Sequence, residues 1–269
     1  MSMKKIGFIG AGNMAEAIIK GLIATGKYEI RVTNRSNRTK LEQMKEDYGV
    51  IPASFSEAVK DSEIILLAVK PKDVAEVLAE VNEHMRSNRL FISVAAGIPL
   101  ALLEKHLPDS PVVRAMPNTS SAVMHSMTGL VKGQGVNEEN QRDVEDIFGA
   151  VGKVVWISEE QMNPLIAMSG SGPAYFYLFT EAMVKAGVDM GFSQEEAENL
   201  AKETLMGAAK MLAHSGKSPG ELRVAVTSPK GTTQEALNVF WEKGLEDLVA
   251  RAAKACKNRA EEMEREYLG

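Results

Sequence analysis

The chain has 269 residues, 45% of them apolar and 25% charged, and carries a formal net charge of -5. That length exceeds the ~100–200 residues one core usually serves, so two domains are expected, and the composition excludes disorder and fibrous repeats. The acidic balance excludes a general nucleic-acid binder, whose phosphate contacts need Lys and Arg in excess, so any anion site must be built locally from backbone amides and a few placed cations.

From the N-terminus, short apolar runs alternate with amphipathic stretches, the pattern of βαβ units around a parallel sheet. Strands are expected at residues 5–9, 30–33, 64–69, 90–94, 112–115, 129–131 and 154–157, with helices at 14–24, 41–48, 72–84, 100–106 and 138–150. The run 64–69 is continuously apolar rather than alternating, as a strand buried on both faces requires. After about Glu159 long helices replace strands, so an α/β domain at 1–159 and an all-α domain at 160–269 are expected. The stretch 172–190 carries Tyr175, Phe176, Phe179, Met183 and Val188, and more of its circumference is expected to be buried than in a surface helix. Ser193 with Glu196, and Ser218 with Glu221 around Pro219, have capping-box spacing and mark helix starts. A last helix at 245–266 is heavily charged after Lys254 and is expected to face solvent.

The single cysteine, Cys256, excludes an intramolecular disulfide framework and suits a reducing compartment. His84, His106, His125 and His214 lack metal-ligand spacing, so no metal is expected. Lys4 and Lys5 precede too short an apolar run for a secretion signal. The uncharged window 161–180 is interrupted by Pro164, Gly170, Gly172 and Pro173, which reads as a buried junction rather than a membrane span. The expectation is a soluble, cytoplasmic protein with no nucleic-acid or membrane partner.

Gly10-Ala11-Gly12-Asn13-Met14-Ala15 follows the first strand and opens a helix, the context in which a glycine-rich turn becomes a dinucleotide site. Gly10 permits the turn, Gly12 the approach of a pyrophosphate, and Ala15 the packing of helix on strand. The second strand ends in Thr33-Asn34-Arg35-Ser36-Asn37-Arg38, with no carboxylate for ribose hydroxyls but with guanidiniums for a 2′-phosphate. NADP is therefore the expected cofactor, NADPH preferred and NADH admissible. The competing reading makes Arg35 and Arg38 solvated loop charges. Ala68-Val69-Lys70-Pro71, Ala95-Ala96-Gly97 and Pro117-Asn118 stand at strand ends on the carboxyl edge, where they would complete the cofactor pocket.

In the helical half, Ser169-Gly170-Ser171-Gly172-Pro173-Ala174 reads as a flexible turn into a helix, and Thr227–Thr233 leads into helix 234–243. Either could cradle a carboxylate with amides and hydroxyls, or simply cap its helix. With these segments in view, the whole chain resembles the pyrroline-5-carboxylate reductases. The match lies in Gly7–Met14, Ala68–Pro71, Met116–Thr119, Ser169–Ala174 and Thr227–Thr233. The resemblance implies a Rossmann-type, doubly wound N-terminal domain followed by an all-α dimerisation domain, and NAD(P)H-dependent reduction of 1-pyrroline-5-carboxylate to L-proline. It implies a homodimer, in some members assembled further, with substrate at the dimer interface. It implies that Thr233 contacts the imine nitrogen as the catalytic group. Amides of Lys230, Gly231 and Thr232 would hold the carboxylate, beside Ser171 and Gly172. The family usually has two adjacent glycines where this chain has Lys230-Gly231, and a positive φ would strain the lysine.

Two rival readings follow the same pattern. A β-hydroxyacid dehydrogenase would carry a catalytic lysine after the glycine-rich turn, but residues 171–180 hold none and Lys185 lies far along the helix. A nucleotide-sensing protein would bind cofactor without turnover, and Lys230 is the feature in its favour.

Overall fold

The computed structural model describes residues 3–85 and 88–268. Its sheet is built from β1 (Lys4–Ile9), β2 (Tyr28–Thr33), β3 (Ile51–Pro52), β4 (Ile64–Leu67), β5 (Leu90–Ser93), β6 (Val112–Met116), β7 (Ser126–Lys132) and β8 (Gly152–Trp156). The order is β3-β2-β1-β4-β5-β6-β7-β8, parallel throughout except for the β6–β7 pair. Between the strands run α1 (Asn13–Thr25), α2 (Arg38–Tyr48), α3 (Phe55–Lys60), α4 (Val74–His84), α5 (Leu100–His106) and α6 (Glu138–Gly149). The helical half comprises α7 (Met162–Leu165), α8 (Gly172–Asp189), α9 (Gln194–His214), α10 (Pro219–Ala225), α11 (Thr232–Glu242) and α12 (Leu245–Leu268).

The alternation of side chains in β4 explains its unbroken apolar run. Leu66 enters one core with Ile6, Phe8, Ile18, Leu22 and Phe148, while Ile65 and Leu67 enter the other with Leu78, Phe91 and Leu103. Helices α1 and α6 cover the first face and α4 and α5 the second, as a doubly wound sheet requires. The expected capping boxes are present: Ser193 accepts from the Glu196 N–H and Ser218 from the Glu221 N–H, each carboxylate returning to the cap amide.

Several sequence expectations need correction. β3 and α3 were not anticipated, because β3 has two residues and ends in proline, which breaks a strand pattern. The sheet is not wholly parallel, since a 3-10 turn at Thr119–Val123 reverses the chain between β6 and β7. The segment Ser169–Ala174 is helical rather than a flexible turn. A π-helical turn, Ile166–Gly170, runs into α8, and the Ser171 N–H reaches the Ile166 carbonyl at 2.8 Å, so the glycines are absorbed in a widened helix.

The chain divides into two compact units, Met1–Ser171 with Cys256–Gly269, and Gly172–Ala255. In the first, the C-terminal part of α12 is not the solvent-facing helix expected from its charge. Ala260 is buried, Met263 and Tyr267 lie against Gly97, and Glu264 meets the buried Arg114. In the second, α8 and α9 pack through small residues, with a carbon added at Gly187 falling 3.0 Å from the Ala197 Cβ. Within this chain α8 is largely bare: Phe176 is 60% and Leu178 66% exposed.

Candidate cofactor site

The site begins where β1 stops. Gly10 has φ +107, and a side chain there would collide with the Ala68 carbonyl, so conformation and space both demand glycine. Gly12 then N-caps α1 without any side-chain capping bond, and a carbon added to it would meet nothing within 4 Å. Among the described residues no side chain caps the first-turn N–H groups of α1, and the space at Gly12 is clear. This is the arrangement in which a helix N-terminus takes a phosphate. Glu16, the acidic residue of that first turn, is engaged elsewhere: Lys40 Nζ donates to it at 2.5 Å and Tyr48 Oη at 3.0 Å. The Lys40 bond holds the Glu16 carboxyl below its ordinary pKa, with burial opposing and Tyr48 assisting.

In front of this turn lies a cleft of about 510 Å³ at the carboxyl ends of β1, β2 and β4. The strand order reverses beside β1, and crevices at such switch points are where open α/β sheets bind nucleotides. One wall is formed by Gly10, Ala11 and Gly12, the floor by Ala68, Val69 and Lys70, and the far end by Asn34, Arg35 and Ser36. The residues present therefore fit a dinucleotide: an open amide cradle for a pyrophosphate and a guanidinium at the adenosine end.

Asn13, Met14 and Ala15 form the first turn of α1 behind the cradle, with Ala15 fully buried against the sheet. Pro71 opens the 3-10 turn Pro71–Asp73. Ala95, Ala96 and Gly97 follow β5 and do not line the cleft, Gly97 being packed within 3.6–3.7 Å of Met263 and Tyr267 if given a Cβ. Pro117 and Asn118 follow β6 and also stand off it. The Asn118 amide donates to the Ser169 carbonyl at 3.1 Å, and its oxygen accepts from the Ser120 N–H at 3.0 Å. Sequence reasoning missed the remaining wall, Phe55, Lys72 and Asp73 of the 3-10 turn, and the α4 face bearing Glu76, Val77 and Glu80. Its signal was the spacing of Asp73, Glu76 and Glu80, which sets three carboxylates on one helical face beside a strand end. Across the cleft mouth Arg35 Nη1 donates to Glu76 Oε2 at 2.9 Å.

The residues expected to hold substrate fall in both units. Ser171 ends the π-helical turn, and its hydroxyl accepts from the Cys256 thiol at 3.3 Å; Gly172 begins α8. In the helical unit, Lys230 has φ +61, the left-handed conformation that its replacement of the usual glycine put in question. Gly231 follows as N-cap of α11, and its N–H bonds the Ser228 carbonyl at 3.0 Å. Thr232 and Thr233 are the first residues of α11 proper, and no side chain caps that helix. Simple capping by these threonines is therefore not what the segment does.

Comparison with known proteins gives a consistent pattern. A family model described as "Pyrroline-5-carboxylate reductase dimerisation" matches residues 159–263, and one described as "NADP oxidoreductase coenzyme F420-dependent" matches residues 5–97. A pyrroline-5-carboxylate reductase of Corynebacterium melassecola is 39% identical over 268 residues, covering 97% of this chain and 99% of that protein. The solved structure of a pyrroline-5-carboxylate reductase from Coxiella burnetii superposes with a TM-score of 0.92 at 40% identity, covering 97% of this chain and 99% of that one. A pyrroline carboxylate reductase structure from Plasmodium falciparum with NADP bound gives 0.85 at 28% identity, covering 98% and 100%.

Proposed function

We propose that this chain, which belongs to the pyrroline-5-carboxylate reductase family, is an NAD(P)H-dependent oxidoreductase that reduces the C=N bond of 1-pyrroline-5-carboxylate to give L-proline, the last step of proline biosynthesis. The observation that carries the reading is the uncapped N-terminus of α1 at the switch point of the sheet, opening on a cleft with Arg35 at its far end. When bound there, the reduced nicotinamide dinucleotide supplies the hydride.

The chain's own residues bind and orient. Amides after Gly12 hold the pyrophosphate, while Asn34, Arg35 and Ser36 take the adenosine end and favour NADPH. Ala95–Gly97, Pro117 and Asn118 stand off the cleft, and their part is to border the nicotinamide end where the dinucleotide extends beyond it. Ser171, Gly172 and the amides of Lys230–Thr232 receive the substrate, the N–H groups of the latter donating to its carboxylate. The freedom of the Thr232 and Thr233 side chains from capping duty supports this reading. Thr233 contacts the ring nitrogen, donating its hydroxyl proton or relaying one from water. A protonated cyclic imine is already electrophilic, so no buried His or carboxylic acid is needed. Holding the reactants in register supplies up to ~7–11 kcal/mol of the barrier reduction.

The bare apolar face of α8, with Phe176 and Leu178, supports a homodimer formed by the helical domain, taken as 160–269, with 1–159 as the cofactor domain. Assembly of dimers into a larger homo-oligomer and a cytoplasmic location belong to the same proposal. Among the described residues no helix is long and apolar enough to cross a membrane.

The test is a substrate panel: the five-membered imino acid, its six-membered analogue and the 2-carboxylate isomer, each with NADPH and NADH. Fastest oxidation of NADPH with 1-pyrroline-5-carboxylate, yielding proline, is expected. Cofactor binding without turnover of any imino acid would replace this reading with the sensor. Thr233→Ala should lower turnover while leaving NADPH affinity intact; unaltered turnover removes the role given to that hydroxyl.

A further inference from the structure

We propose that Glu76 tunes the cofactor preference of the cleft by competing with a 2′-phosphate for Arg35. The inference rests on the proposed reading that a reduced nicotinamide dinucleotide occupies the cleft. The loop after β2 holds no carboxylate between Thr33 and Arg38, so nothing within that loop opposes Arg35 as a phosphate ligand. The opposing charge comes instead from α4, where Glu76 Oε2 lies 2.9 Å from Arg35 Nη1. The charged side chains lining the cleft are Arg35, Lys70 and Lys72 against Asp73, Glu76 and Glu80, so the lining is neutral overall.

A 2′-phosphate that reaches Arg35 must displace Glu76 and then lie beside it, a like-charge contact in the same exposed region. A dinucleotide with a free 2′-hydroxyl meets no such repulsion and donates a hydrogen bond to the carboxylate. Glu76 thus lowers affinity for NADPH and sustains that for NADH. Both side chains of the pair are well exposed, so the effect is about two- to fivefold rather than absolute.

The experiment titrates the full chain with NADPH and with NADH by direct binding, in the parent, Glu76→Gln, Arg35→Gln and the double variant. Glu76→Gln is expected to tighten NADPH about two- to fivefold and to leave NADH unchanged or weaker. In the Arg35→Gln background most of that gain should vanish. Equal shifts for both cofactors, or no gain for NADPH, overturn the proposal. Imino-acid turnover, followed in parallel, decides the functional reading separately: a chain that binds both dinucleotides without turnover sinks that reading, while the titration ratio still decides the role of Glu76.

Discussion

Arg114 in β6 and Glu264 near the end of α12 meet as a buried ion pair, Nη2 to Oε1 at 2.7 Å, with the Arg114 side chain 3% exposed. The approach is not aligned as a hydrogen bond, since neither atom has a hydrogen-bond partner. The other arm of the guanidinium is better placed. Nη1 donates to Glu159 at 2.6 Å, and the same Glu159 oxygen accepts from the Leu100 N–H at 2.9 Å. Asn163 donates to the second Glu264 oxygen at 2.7 Å. The pair therefore fixes the end of α12 to the sheet and sets Met263 and Tyr267 against Gly97.

Removing Glu264 leaves one arm of a buried guanidinium without its carboxylate, while Glu159 still holds the other. Glu264→Ala is expected to cost about 1.5–3 kcal/mol in denaturant unfolding. Replacing both partners by apolar residues, Arg114→Met with Glu264→Leu, should recover most of the loss. A single-variant cost below about 1 kcal/mol would show that the contact does not hold the helix.

Two glycines of the cofactor turn should behave differently. Gly10→Ala meets both a positive φ and the Ala68 carbonyl, and is expected to destabilise the first unit in thermal melts. At Gly12 there is room for a methyl group in the chain itself, so Gly12→Ala should melt normally yet bind NADPH at least tenfold more weakly, because the methyl occupies the phosphate's approach. Unchanged NADPH affinity in Gly12→Ala would place the pyrophosphate elsewhere.

Lys230 holds φ +61, a conformation that costs a residue with a Cβ about 1–2 kcal/mol relative to glycine. Lys230→Gly relieves that strain while freeing the unfolded chain, so stability should rise by no more than about 1 kcal/mol. If the ammonium assists the substrate carboxylate, KM for the imino acid rises severalfold with kcat preserved. An unchanged KM assigns Lys230 no part in binding.

Burial pushes the Tyr28 phenol from 10.0 up to about 12, with the Asp146 and Asp143 carboxylates adding to it. The sign follows from proton counts: between these values the unfolded chain has lost the proton that the folded chain keeps, so stability falls as pH rises from 10 to about 12. The loss amounts to roughly 2–3 kcal/mol. Denaturation curves across that range should slope less in Tyr28→Phe, and an equal slope would contradict the assignment.

Much of this was legible in the sequence where local pattern decides. Gly10, Gly12 and Ala15 announced the cradle, the unbroken run in β4 announced a two-faced sheet, and Ser193 and Ser218 marked helix starts one residue before the helices themselves. What escaped was set by tertiary partners. Nothing near Glu264 in sequence says that its charge is matched by Arg114, so a charged helix end read as solvated. Glu76 likewise reads as an exposed helix residue until β2 brings Arg35 opposite it. The bare face of α8 has the composition of a buried helix, but its cover does not come from this chain's own described residues.

The most direct test of the central claim follows one atom. Incubating the chain with 1-pyrroline-5-carboxylate and NADPH deuterated at the transferable C4 position, on the face that is used, should place a single deuterium on the proline ring carbon that was the imine carbon. Both C4 faces are tested in turn. Proline carrying no deuterium from either face, or no proline at all, would contradict hydride delivery from the dinucleotide to the imino ring.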